Sequence, residues 1–130
     1  MTSDRGQDGS GLDSQHERLV QRARGIAEGF RVVAEGGGSP RTELALLRSP
    51  LHVYEDPERG IEKAVILAWC HVRNPEALIC VEFYADRTSV ELTKLANARV
   101  TAEGHGLVWT TEESRGRDSE AYWSFALPKE

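Results

Sequence analysis

The sequence predicts an α+β domain in which an N-terminal amphipathic helix packs on an antiparallel β-meander of about five to six strands, free to curve strongly around it. A single apolar stripe from Leu19 to Ala34 predicts the helix. Two runs of β-branched and aromatic residues within Ile61 to Ala85 predict a central hairpin, and clean alternation from Ala121 to Leu127 predicts a last strand.

Residues 1–13 are rich in Gly, Ser, Asp and Gln and read as a disordered tail, so that 14–130 form one domain. Ser14-Gln15-His16-Glu17 fits a capping box, in which serine and glutamate satisfy two orphan amides at a helix start. Behind it, Leu19, Val20, Ala23, Ile26, Ala27, Phe30, Val33 and Ala34 recur with helical spacing. The stripe either covers the domain's own sheet or serves as a homodimer surface. Gly25 and Gly29 each weaken such a helix by about 1 kcal/mol relative to Ala, which close packing against a sheet would explain. Gly36-Gly37-Gly38 ends the helix and reads as a linker; it lacks the spacing of a phosphate loop.

Thr42 to Arg48 fits a strand or a helical turn, and Pro50 stops either. Leu51 to Tyr54 is a short extended piece, and Glu55 to Gly60 is a turn. Val90, Leu92 and Lys94 alternate with Glu91, Thr93 and Leu95, predicting a strand, with a short helix as the alternative. Arg99 to Glu103 and Gly106 to Thr111 flank a Gly104-His105 turn, which sets Val100 opposite Trp109 and Ala102 opposite Leu107. Glu112 to Glu120 is a charged loop, and Pro128 ends the final strand.

In the central hairpin, register decides the chemistry. A two-residue Pro75-Glu76 turn would set His71 opposite Cys80 as a thiol–imidazole pair. A loop centred on Pro75 instead sets Leu67 against Phe83, Trp69 against Val81 and Cys70 against Cys80. The second arrangement gathers the apolar residues on one face and is preferred. It removes the Cys–His pair and leaves two facing thiols.

The segment Ser49 to Thr111 resembles a group of uncharacterised small β-rich proteins predicted in planctomycete bacteria. The positions that carry the resemblance are Pro50, Leu51, Tyr54, Pro57, Gly60, Trp69, Pro75, Tyr84, Glu91, Leu95 and Trp109; Val90 departs from it where an aromatic residue would stand. The resemblance implies a compact sheet domain and no particular activity.

Composition narrows function further. A formal net charge of -5 and a pI near 5.4 argue against nucleic acid, whose binding needs a basic face. No run of ~20 apolar residues is present to span a membrane, and the first residues lack a signal-peptide core, so a cytoplasmic location with reduced thiols is expected. The histidines are isolated, without metal-ligand spacing, so no metal or cofactor is expected. Catalytic candidates are Glu82, Cys80 and His71; ligand-binding candidates are Trp69, Trp109, Trp123 and Tyr84. Glu82 sits between Val81 and Phe83, where partial burial among aromatics could tune a carboxylate for proton transfer. The expected function is a non-catalytic domain that binds a protein or small-molecule partner. The alternatives are a small enzyme using Glu82 or Cys80 in a cleft between sheet and helix, or a homodimerisation module.

Overall fold

The computed structural model describes residues 2–36, 38–111 and 122–128; of 2–13, Ser39, Tyr122 and Pro128 it describes the backbone alone. The order is α1 (Thr2–Glu28), β1 (Phe30–Gly36), β2 (Ser39–Glu43), β3 (Ala45–Leu46), β4 (His52–Asp56), a 3-10 turn (Pro57–Arg59), β5 (Ile61–His71), β6 (Asn74–Phe83), β7 (Arg87–Lys94), β8 (Arg99–Gly104), β9 (Leu107–Thr110) and β10 (Tyr122–Pro128). All strand pairs are antiparallel. They form a four-stranded sheet, β2-β1-β8-β9, and a six-stranded sheet, β10-β7-β6-β5-β3, with β4 also on β5. The fold is α+β, as the sequence predicts, but with its strands divided between two open sheets.

The helix differs from expectation at both ends. It begins at Thr2, within the stretch read as a tail, so the Ser14–Glu17 box lies inside it rather than at its start. It stops at Glu28, and Phe30-Arg31-Val32-Val33 continues as β1. Phe30, Val33 and Ala34 keep helical spacing by coincidence; their β-branched and aromatic neighbours favour extended backbone. At the stop, the Ile26 carbonyl accepts the Gly29 amide at 3.1 Å, and His105 Nε2, from the opposite strand pair, donates to the same oxygen at 2.8 Å. Gly29 leaves room for that ring, since a Cβ there would meet His105 Nε2 at 2.5 Å. Gly25, by contrast, faces open space rather than a sheet.

Gly36 and Gly38, at φ 94° and 87°, stand where β1 turns back onto β2, so the chain makes a hairpin there rather than a linker. Leu44 then carries the chain from one sheet to the other. It is buried, its amide donates to the Val32 carbonyl at 2.8 Å, and β3 follows on β5. Leu19, Val20, Ala23 and Ala27 of α1 pack with Val32, Val65, Leu67, Trp69, Ile79, Val81, Phe83, Val90, Leu92 and Val100 in one core. The apolar stripe of the helix is therefore covered by the protein's own sheets.

The β5–β6 hairpin closes at Val72-Arg73, ahead of the turn at Pro75 that both expected registers require. Leu67 faces Ile79, Trp69 faces Ala77 and Val65 faces Val81. Pro75 lies within β6 opposite Cys70, beside a bulge at Trp69/Cys70, where a residue without an N–H is tolerated. Val72 takes φ 59° at the tip. The second turn also moves: Gly104 pairs with Leu107 and Ala102 with Trp109, so His105-Gly106 forms the turn, with φ 52° and 75°. In β10 the half-buried Trp123, Phe125 and Leu127 alternate with exposed Ser124 and Ala126, as expected. The charged loop Glu112–Glu120 lies outside the described residues. No helix among the described residues is long and apolar enough to cross a membrane.

Candidate functional site

Alternation along a strand sends the even-numbered residues of β5 and β6 away from the core. The register then fixes which of them meet on the outer face of the six-stranded sheet. One row across the strands reads Ala126, Ser89, Glu82, Ala64 and Tyr54. The next reads Ser124, Glu91, Cys80, Ile66 and His52, and the third holds Thr93, Leu78 and Ala68. Successive rows are about 7 Å apart, two residues along a strand. Ala64, Ala68 and Ser89 are small, so the face is hollow between larger neighbours. The hollow has a volume of about 480 Å³ and is lined by Tyr54, Arg59, Ile66, Leu78, Cys80, Glu82, Ser89, Glu91, Thr93 and Ser124.

Glu82 accepts two side-chain hydrogen bonds there. Tyr84 donates its hydroxyl to Glu82 Oε1 at 3.1 Å, and Tyr54 reaches over Ala64 to Oε2 at 3.4 Å. Tyr54 stacks on His52 with ring centroids 5.5 Å apart, and the Arg87 guanidinium lies 3.9 Å from the Tyr84 ring centroid. Both rings are thus held from behind while their hydroxyls converge on one carboxylate. Among the described residues Glu82 and Glu91 make no ion pair, and Arg59 bonds only loosely to Asp56, at 3.8 Å.

Protonation follows from this setting. Burial, then the negative charges of Cys80 and Glu82, push the Tyr54 hydroxyl up to about 12. Burial, then the Glu82 charge, push the Cys80 thiol up to about 11, against a lowering hydrogen bond from Tyr54. Burial and Glu82 also raise Tyr84. At neutral pH the site presents phenol donors and a thiol, not a thiolate, so Cys80 is a poor nucleophile.

No protein family, curated protein or solved structure matches this chain.

Of the residues singled out in the sequence, Glu82, Cys80 and Tyr84 come together. Their hollow is on the sheet face opposite the core, so the expected cleft between sheet and helix is not where they lie. His71 is exposed at the hairpin end opposite Asn74 and does not meet Cys80. Cys70 is buried opposite Pro75, and Cys80 faces Ile66, so the expected facing thiols do not exist. Trp69 is buried edge-on to Phe30, with centroids 6.5 Å apart. Trp109 stacks on Trp123 at 6.5 Å and belongs to the core. The indoles line no part of the hollow. Tyr54 and Arg59 were missed. His52 and Tyr54 share one side of a four-residue extended piece, but only its pairing with β5 reveals what Tyr54 faces.

Proposed function

We propose that this chain is a non-catalytic binding domain that holds a small polar ligand in the hollow around Glu82. The observation that carries this reading is a carboxylate held by two tyrosine hydroxyls at the floor of a concavity of about 480 Å³. That volume lies within the range of small-molecule sites, roughly 300–1,000 Å³, and fixed polar groups such as the doubly hydrogen-bonded carboxylate are what such sites use for orientation; Ile66 and Leu78 supply apolar surface in a largely polar lining. The protonated Cys80 thiol favours binding over thiol chemistry. The free thiols of Cys70 and Cys80 suit a reducing, cytoplasmic setting.

A thermal-shift screen of small polar metabolites, run on the native chain and on Ser89→Trp, tests the reading. Ser89 lies directly opposite Glu82, so an indole there fills the hollow. Compounds that raise the melting temperature of the native chain should leave Ser89→Trp unmoved. Equal shifts in both proteins would place binding elsewhere and defeat the proposal.

A further inference from the structure

We infer that the ligand of this hollow is a zwitterionic α-amino acid with an apolar side chain. The inference rests on the reading of the hollow as a small-molecule site and adds the chemistry of its occupant.

The lining is ordered by charge along the strand direction. At one end stands Arg59, on the 3-10 turn before β5. Gly60 places that turn beside Tyr84, since a Cβ on Gly60 would lie 3.8 Å from Tyr84 Cδ2. The Arg59 side chain is 61% exposed, and its one ion pair among the described residues, with Asp56, is 3.8 Å long. Its guanidinium therefore keeps donors available for a carboxylate. One step inward is the row of Glu82, with Ser89 opposite. The next row brings Cys80 and Ile66, with Glu91 and Ser124 in the same row, and the last brings Leu78 with Thr93 opposite. Arg59 and Glu82 come first in that order, and the apolar surface of Cys80, Ile66 and Leu78 follows, flanked by Glu91, Thr93 and Ser124.

An α-amino acid carries the complementary sequence of groups: carboxylate, ammonium, side chain. Its carboxylate meets Arg59, its ammonium meets Glu82, and its side chain lies over Cys80, Ile66 and Leu78. The mixed signs also argue against simpler ligands. A plain amine gains Glu82 and Glu91 but meets the repulsion of Arg59; a plain carboxylic acid gains Arg59 but meets both glutamates. A ligand bearing both charges satisfies each without opposing the other.

The test uses the full chain and three probes of similar shape: L-leucine, 3-methylbutylamine and 4-methylpentanoate. Binding is followed by calorimetry and by amide NMR shifts at Cys80, Glu82 and Ser89. Leucine should bind at least about tenfold more tightly than either singly charged probe, the usual consequence of losing one charge-assisted hydrogen bond. Glu82→Gln should weaken leucine and the amine together. Arg59→Gln should weaken leucine about tenfold or more while the amine binds as well as before or better. An amine or acid that matches leucine overturns the zwitterion and leaves the hollow standing as a site. Leucine without effect, beside another metabolite whose binding Ser89→Trp abolishes, has the same meaning. Silence from every compound at those amides defeats this inference and the binding reading together.

Discussion

Two glycine-to-alanine substitutions separate the space available at a glycine from its backbone freedom. Gly104 lies at the end of β8 opposite Phe30, and its φ is not in the left-handed region. Alanine could adopt that backbone, so only space decides. There is none: a Cβ on Gly104 would sit 2.8 Å from the carbonyl carbon of Gly29 and from Phe30 Cα, and closer to the Gly29 oxygen. Carbon atoms pack at about 3.5–4.0 Å, so β1 and β8 must part by roughly 1 Å where they begin. The obstructing atoms are backbone and cannot rotate away. Parting them also disturbs the buried Phe30 and the His105 contact to the Ile26 carbonyl. Overpacking of this kind costs about 2–3 kcal/mol. With an unfolding entropy of about 2.1 cal/mol/K per residue, that lowers the melting temperature of a chain of 130 residues by about 7–11 °C. Gly25 is the control. It sits on the exposed side of α1 with nothing within 4 Å of an added Cβ, so Gly25→Ala should gain up to about 1 kcal/mol, or about 4 °C. Thermal unfolding followed by circular dichroism measures both. A Gly104→Ala protein as stable as the native chain would show that the β1–β8 approach is looser than described and refute the reasoning.

Other perturbations test the turn, the thiols and the site's titration. Val72 is 82% exposed at φ 59°, a region that L side chains avoid, so Val72→Asn or Val72→Gly should stabilise by about 1 kcal/mol; a loss in urea midpoint would contradict the turn. Cys80 faces Ile66, four residues or about 13 Å along β5 from Cys70. Mild oxidation of the native protein should therefore form no internal disulfide, and Cys80 should label before Cys70, which is 2% exposed. Mass spectrometry finding a Cys70–Cys80 crosslink in folded protein would rule that arrangement out. Cys80 and Tyr54 hold protons in the folded state after the unfolded chain has released them. The stability they contribute is complete below pH 9 and lost as pH rises through about 11 for Cys80 and about 12 for Tyr54. Melting temperature should fall across that window, less steeply below pH 11 in Cys80→Ser; an unchanged profile in that variant would exclude the thiol as a cause.

The two hairpins show why faces were legible in the sequence while partners were not. In β5–β6 the pairing moved by four residues, from Trp69 opposite Val81 to Trp69 opposite Ala77. In β8–β9 it moved by two, from Val100 opposite Trp109 to Ala102 opposite Trp109. Both shifts are even, and an even shift leaves every side chain on its original face. Burial of Leu67, Trp69, Ile79, Val81 and Phe83 follows from alternation alone, so the core was readable with the wrong turn. Turn chemistry gave no help, because Asn74-Pro75 is the stronger turn signal and the chain instead bends at Val72, against its preference. The helix end was lost for a similar reason: the second partner of the Ile26 carbonyl comes from His105, far along the chain.

The same parity argument bears on the site. Glu82 was identifiable as a carboxylate on the outer face, but its meaning depends on what crosses the strands beside it. An outer face of an antiparallel sheet is ordinarily solvated, and a glutamate there ordinarily does nothing more than keep it so. Three features set Glu82 apart, and each needs a partner strand. Tyr54 reaches it because β4 sets the tyrosine opposite the small Ala64. Ser89, directly opposite on β7, leaves the space that a longer side chain would fill. Arg59 joins them because β5 begins just after the turn that follows β4. Had the β4–β5 register slipped by two residues in the direction that sets His52 where Tyr54 stands, Leu51 would take the place of Val53 against the core, yet the phenol donor on Glu82 Oε2 would be lost. The core would tolerate that slip and the site would not. On the proposed binding reading, selection for ligand binding rather than folding would therefore fall most heavily on Tyr54, Ala64, Glu82 and Ser89, the row that depends on register.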